Sequence, residues 1–566
     1  MHGKKLALRL GASILAVSLV LTGCGSETGK VARDQNVSVE ASQDEAVSIA
    51  GEENDKTTVA VSEETSIPEK EQITTEEAED ELMEQYTKSV KTTAFYKKPG
   101  NTNPIISQKF GADPYAMVYE DRVYFYMTAD AFEYDAKGTV LENSYSKIQS
   151  INVVSTDDMV NFTDHGAVRV AGRTGAAKWA NNSWAPAAAW KMIDGKPKFF
   201  LYFANNGSGI GVLTADSPTG PWTDPIGHEL ITRQTPNCAN VLWLFDPAVL
   251  VDDDGKAYLY FGGGVPADKI ENPGTGRVIQ LGEDMISTVG EAKVIDAPYI
   301  FEDSGIHKYN DKYYYTYCSN WQVSAEGTAK YGFHNAEIVC LESDSPMGPF
   351  TLKETILDNP GRVFGLYGNN HHCVFHFRDR WYITYHARSL EKAMKIEKGY
   401  RSTHIDEFTM QEDGTIGKIK MTSAGRTQLK NVDAFASNKA VNVAMMAGTS
   451  AVPADAQAAS TSCGNMALGD TQTGDYVEIQ GVDFGEGASK LVMHIKNKNG
   501  IKGGIQVRVD RLFGDVIGYV TLDESRDDDY TQYTAELFGD VSGVHNLYFI
   551  VAEGEEYEIL DWQFEQ

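Results

Sequence analysis

Five times between residues 113 and 385 the chain repeats one short pattern: an apolar strand, a polar turn, then a second strand dense in aromatic residues. The copies are residues 113–119, 120–122 and 123–127; 184–190, 194–196 and 199–203; 246–251, 252–255 and 257–261; 302–309, 310–312 and 313–317; and 371–377, 378–380 and 381–385. The Asp, Asn and Gly residues of the turns suit tight hairpins. Meandering hairpins at intervals of about 55 to 75 residues predict blades of a β-propeller, each hairpin forming the inner half of a four-stranded blade. Five copies predict five blades. An ordinary sandwich would need all five to be in phase by coincidence. The turn at Asp252 lacks the spaced ligands and closing Glu of an EF-hand loop, so it reads as a solvated hairpin turn.

The N-terminus indicates the compartment. Lys4, Lys5 and Arg9 precede an apolar run from Leu10 to Leu21, which is short for a membrane span and ends at Leu21-Thr22-Gly23-Cys24. That ending resembles a bacterial lipobox. It implies cleavage before Cys24, lipidation of its sulfur, and a cell-surface or extracellular protein touching the membrane only through the lipid. Residues 25–90 hold 18 acidic and 5 basic residues with Tyr86 as their one aromatic, a composition that cannot build a core. The expected segments are a signal peptide over 1–23, an acidic tether over 24–97, a propeller over 98–435 and a β-sandwich of jelly-roll type over 436–566. The fold class is all-β. A net charge of −30 argues against nucleic acid as a partner. Six cysteines without a CxxC pair indicate neither a disulfide framework nor a zinc site.

The repeat also sets a phase. Asp113, Asp246 and Glu302 stand where the innermost strands of copies one, three and four begin, with Trp184 and His371–His372 at that place in copies two and five. Equivalent strand ends line one mouth of a propeller, so three carboxylates are expected to converge there. Cleavage of a glycosidic bond needs one acid to protonate the leaving oxygen and one carboxylate to activate water or attack carbon. A third carboxylate raises the pKa of the acid by repulsion. One Asp before Pro would be an ordinary turn residue; three acids in phase argue for chemistry. Two adjacent histidines in a strand point to opposite faces, which argues against a metal-dependent enzyme built on His371 and His372.

The segments Phe110-Gly-Ala-Asp-Pro-Tyr-Ala, Lys178-Trp-Ala-Asn-Asn-Ser-Trp-Ala-Pro, Trp243-Leu-Phe-Asp-Pro-Ala-Val, Met347-Gly-Pro-Phe and Gly368-Asn-Asn-His-His resemble glycoside hydrolase family 43, over about residues 103–431. Within the family the chain is most similar to the arabinoxylan arabinofuranohydrolases, which are inverting five-bladed propellers. The resemblance implies Asp113 as general base, Glu302 as general acid and Asp246 as the residue that orients the acid and tunes its pKa. Glu337 is a rival acid that lies off phase. Trp184, Trp243, Phe245 and Trp321 match positions in or beside a substrate cleft, and sugar faces stack on such rings. Propeller core is the competing reading for them, with Phe245 evenly balanced. Asn369 matches a position that hydrogen-bonds sugar hydroxyls, and Arg401 a cleft arginine, against the alternative of a surface salt bridge. His372 matches a histidine near one structural calcium held largely through water; a satisfied core histidine is its competitor. No organic cofactor is implied.

Short alternating strands with Gly turns follow residue 465 and predict the sandwich. Gly474-Asp-Tyr-Val, Val482-Asp-Phe-Gly, Gly503-Gly-Ile-Gln-Val-Arg-Val-Asp and Asp561-Trp-Gln-Phe resemble a family 6 carbohydrate-binding module. The opening Glu-Ala-Glu of that family is absent, with Met445-Met446-Ala447 near its place. Two roles stand open: binding sugar, or bracing the propeller. The expected function is release of α-L-arabinofuranosyl side chains from arabinoxylan or a related hemicellulose. The alternatives are a β-xylosidase or arabinanase on the same fold, and a non-catalytic surface glycan-binding lipoprotein.

Overall fold

A computed structural model describes residues 97, 98 and 100–566. The expected signal segment, Cys24 and the acidic stretch lie outside the described residues. Among the described residues no helix is long and apolar enough to cross a membrane.

The five predicted hairpins are present, each opening an antiparallel sheet. The first sheet holds β1 (Ala112–Tyr119), β2 (Arg122–Thr128), β3 (Ser150–Thr156) and β4 (Phe162–Arg169). The second holds β5 (Trp184–Ile193), β6 (Lys196–Ala204) and β7 (Ile210–Ala215). The third runs through β8 (Ala248–Val251), β9 (Ala257–Phe261), β10 (Gly276–Leu281) and β11 (Thr288–Ile295). The fourth has β12 (Ile300–Tyr309), β13 (Lys312–Ser319), β14 (Ile338–Ser343) and β15 (Thr351–Leu357), and the fifth β16 (His372–Phe377), β17 (Arg380–Ala387) and β18 (Ser402–Phe408). The leading strands pack in cyclic order: β1 on β5, β5 on β8, β8 on β12, β12 on β16, and β16 back on β1.

The aromatic second strands explain how neighbouring sheets are joined. Tyr126 of β2, Tyr202 of β6 and Tyr260 of β9 are fully buried, and each donates its hydroxyl to a carbonyl of the next sheet's outer turn, at Pro218, Met285 and Pro346. A buried phenol must find an acceptor. Thr316 takes that place in the fourth sheet, opposite Gly305.

Beyond residue 431 two sheets pack face to face. One contains Tyr476–Asp483, Val544–Glu553, Gly503–Val509 and Val516–Leu522; the other contains Met466–Gly469, Glu558–Glu565, Ala488–Lys496 and Thr531–Val541. Trp562, Phe564, Phe549 and Phe484 fill the space between them. The strand Asn442–Val443 leaves this unit and pairs with Phe162 and Thr163 of β4, as the fifth strand of the first sheet.

Candidate active site

Where the leading strands begin, the backbone is irregular in a repeated way. Register slips between Ala112 and Tyr115 in β1, between Trp184 and Ala187 in β5, and between Glu302 and Gly305 in β12. Inside these bulges Asp113, Ala185 and Asp303 adopt left-handed φ of 47°, 39° and 69°, and Asp246, ahead of β8, does so at 49°. Such φ values are costly outside glycine and gather at functional sites. Bulges re-aim side chains at sheet rims.

This register corrects the phase read from sequence. Asp113 and Asp246 do share it, but the fourth-sheet residue in their phase is Asp303. Glu302 stands one position earlier, where β5 has Trp184. The inserted bulge residue is invisible to a count of turn-to-turn spacing, so Asp113 and Glu302 look equivalent in the sequence.

Asp113, Asp246 and Glu302 are all buried, and they meet around His371 and Asp303. The Nδ1 of His371 lies 3.5 Å from Asp113 and 3.8 Å from Asp246, and its Nε2 lies 3.2 Å from Asp303. The amide of Asp303 donates to Asp246 Oδ2 at 3.0 Å. Arg401 is buried, not the surface ion pair considered from sequence. It donates to Asp113 Oδ1 at 2.9 Å, and to both oxygens of Asp130 at 2.9 and 2.8 Å.

These surroundings pull the carboxyls apart. Burial alone would raise Asp113, but the Arg401 guanidinium, then His371 and His386, outweigh it and hold Asp113 far below the usual carboxylate range. Glu302 has no cation of its own. Burial first, then the negative charges of Asp246, Asp113 and Asp303, push it well above the ordinary range. Asp246 is raised too, by burial and then by Asp113, against the opposing amide of Asp303. Asp113 is therefore held toward the ionised form, while burial and mutual repulsion favour a proton shared within the Glu302–Asp246 pair. Glu302 Oε1 is buried with no hydrogen-bond partner among the described residues. Two carboxyls held in opposite protonation states are what acid–base cleavage requires.

The expected aromatic positions divide. Trp184 is half-buried and donates its indole N–H to the Tyr145 carbonyl at 2.9 Å, while the Tyr145 ring lies 4.7 Å beneath the Arg401 guanidinium. Trp243 is half-buried and meets Phe245 and Phe301 edge-on at 5.3 and 5.4 Å, beside Glu302 in the chain. Phe245 itself is buried. Trp321 packs against the core shared by the fourth and fifth sheets, and the described contacts do not join it to the carboxylates. Asn369 lines a small cavity with Arg401 and His386. Glu337 is fully buried, with Arg362, Lys418 and the His334 amide as partners, and none of the described contacts joins it to the three acids.

His372 donates through Nδ1 to the Asp303 carboxylate Oδ2 at 2.5 Å, and its Nε2 lies 2.7 Å from the Thr316 hydroxyl. Both ring nitrogens are engaged by protein groups. Among the described residues no group of three or more His, Cys, Asp or Glu is arranged to hold one. Direct ligation by His372 would cost one of its two bonds, whereas an ion held largely through water, as the resemblance implies, makes no such demand. The two histidines do not face apart, since both reach the Asp303 carboxylate. His371 precedes the first residue of β16, and strand alternation does not extend to it. Sequence reasoning assigned no role to Asp303, Asp130, His386 or Tyr145. Only Asp303, adjacent to Glu302, carried a signal.

Residues 101–416 match the model for glycosyl hydrolases family 43, and residues 439–566 that for the family 6 carbohydrate binding module. The chain belongs to glycosyl hydrolases family 43 and is a glycoside hydrolase carrying a C-terminal module of the family 6 type. It is 45% identical to an arabinoxylan arabinofuranohydrolase of Paenibacillus polymyxa, over 83% of this chain and 75% of the relative. It is 43% identical to one of Bacillus subtilis, over 84% and 94%. The crystal structure of a family 43 arabinoxylan arabinofuranohydrolase from Bacillus subtilis in complex with cellotetraose superposes with a TM-score of 0.78 at 43% identity, covering 84% of this chain and 99% of that one.

Proposed function

We propose that this chain is an inverting hydrolase that releases single α-L-arabinofuranosyl groups from arabinoxylan, with Glu302 as general acid and Asp113 as general base. The observation that carries the reading is the opposed environment of these two carboxyls: one ionised against Arg401, the other kept protonated by burial and by its acidic neighbours. The names of the similar enzymes support the substrate. Glu302 gives its proton to the glycosidic oxygen as the bond to the anomeric carbon breaks. Asp113 takes a proton from the water that attacks the opposite face, and the sugar departs as β-arabinose. Asp246, linked to the Asp303 amide, orients the acid and keeps it protonated. Trp184 and Trp243 offer ring faces to sugar, and Asn369 offers polar contacts.

The five sheets form the blades of a five-bladed propeller in this reading, supported by the cyclic packing of their leading strands. The sandwich gives the enzyme a hold on xylan. The Cys24 motif anchors the protein by lipid at the bacterial surface, with residues 24–97 as tether.

Proton NMR of wheat arabinoxylan treated with the purified protein tests the activity. Early β-arabinose signals that then mutarotate are expected. Early α-arabinose would replace inversion by retention, and xylose or arabino-oligosaccharides would move the substrate to β-xylosidase or arabinanase chemistry. Xylan binding without release would leave a glycan-binding protein.

A further inference from the structure

Each bulge that turns a residue toward the site removes an amide from its ladder, and the amide must find another acceptor. In the second sheet the amide of Ala185 donates to Thr128 Oγ1 at 2.8 Å. In the fourth, Asp303 donates to Asp246 Oδ2. The amide of Asp113 donates to Nδ1 of His386 at 3.1 Å. In all three cases a side chain of the preceding sheet in the cycle, or of its leading loop, satisfies the bulge.

A threonine suffices beside Ala185, whereas a histidine serves Asp113. The ring reaches further: its Nε2 lies 2.8 Å from the Asn369 carbonyl, which can only accept. Nε2 therefore carries a proton, while Nδ1 faces the Asp113 amide and also, at 3.2 Å, Asp113 Oδ1. The ring is fully buried, and its own amide donates to the His371 carbonyl at 3.2 Å. One rigid group thus joins the Asp113 backbone, the segment carrying Asn369 and the strand ending beside His371.

We propose that His386 is a positioning residue that ties the base Asp113 to the Asn369 segment, so that the contact holding the sugar and the carboxylate activating the water keep one fixed separation. This rests on Asp113 being the base. Small displacements of a reacting group cost about a hundredfold in rate, whereas satisfying an amide alone requires no link to Asn369.

The test compares His386→Phe, which keeps a ring but neither contact, with His386→Asn, whose amide oxygen replaces Nδ1. Steady-state kinetics on wheat arabinoxylan and on an aryl α-L-arabinofuranoside, with melting curves for each variant, give the readout. For His386→Phe, kcat is expected to fall about a hundredfold while KM changes less than about threefold. His386→Asn should recover part of kcat, because the Asp113 amide regains an acceptor. Should His386→Phe fail to fold, His386→Asn against wild type decides, with a drop in kcat at steady KM expected. Unchanged kcat in either folded variant, or equal losses in both, would overturn the proposal. Asp113→Asn is the control: if it stays active the base assignment fails first, and if it is inactive while His386→Phe is not, the positioning role alone fails.

Discussion

The backbone amide of Asp303 donates to Asp246 Oδ2 at 3.0 Å, which anchors the Asp246 carboxyl to the peptide adjoining Glu302. The two acids cannot both ionise cheaply in that space, so they titrate as a pair. Activity should fall as pH rises through the raised range of this pair, because the proton donor is lost. Asp246→Asn removes a negative neighbour of Glu302 and should move the alkaline limb of kcat/KM to lower pH. An alkaline limb unmoved in Asp246→Asn would separate the two groups.

Glu302→Gln should cost activity and gain stability. Losing the acid removes a factor of about 10² to 10⁴ from kcat. Glu302 has a folded-state pKa raised above its unfolded value, so its contribution to stability is fully present below the unfolded pKa and is lost as pH rises through the folded pKa. A neutral amide carries no such penalty. Scanning calorimetry at pH 8 should show the variant melting higher than wild type, with the difference vanishing near pH 4.

Arg401→Lys should not be conservative. The guanidinium binds both oxygens of Asp130 and one of Asp113 at once, and an ammonium cannot span that fork. Lysine keeps the charge but cannot make all three bonds at once, so a lower Tm and a reduced kcat/KM are expected together. The acid limb should also rise, since an ammonium holding the Asp130 side of the site leaves Asp113 without the close guanidinium contact that holds it ionised.

Chelation should leave Tm unchanged. With both nitrogens of His372 engaged by Asp303 and Thr316, the fold does not need an ion at that ring. Differential scanning fluorimetry with and without EDTA checks this, and a clear drop in Tm would indicate an ion held by other groups.

Much of this was legible in the sequence because hairpins announce themselves locally. The turns at Asp194-Gly195 and Asp252–Gly255 lie where their residues demand, and the aromatic strands follow them. Asp113, Asp246 and Glu302 stand out in the sequence because each lies where a copy of the repeat begins, and the structure brings the three side chains together. What the sequence hid depends on the third dimension. Asp130 and Arg401 lie 271 residues apart, and nothing local pairs them. His386 sits among aromatic strand residues and looks like core until its two nitrogens are traced. Glu302 reads as in phase with Asp113 from sequence but stands one position earlier, because a bulge shifts register without changing composition.

The Asn442–Val443 strand bears on how portable this enzyme is. It closes the open edge of the sheet that carries Asp113, while the side-chain Nδ2 of Asn161, just before β4, donates to the Gln480 carbonyl of the sandwich. A catalytic unit cut at residue 435 would bare that edge and invite association through it. Grafting a different binding module onto this body therefore requires a donor that brings its own edge strand, and loss of xylan retention after deleting residues 440–566 would report damage to the catalytic sheet as well as loss of the module.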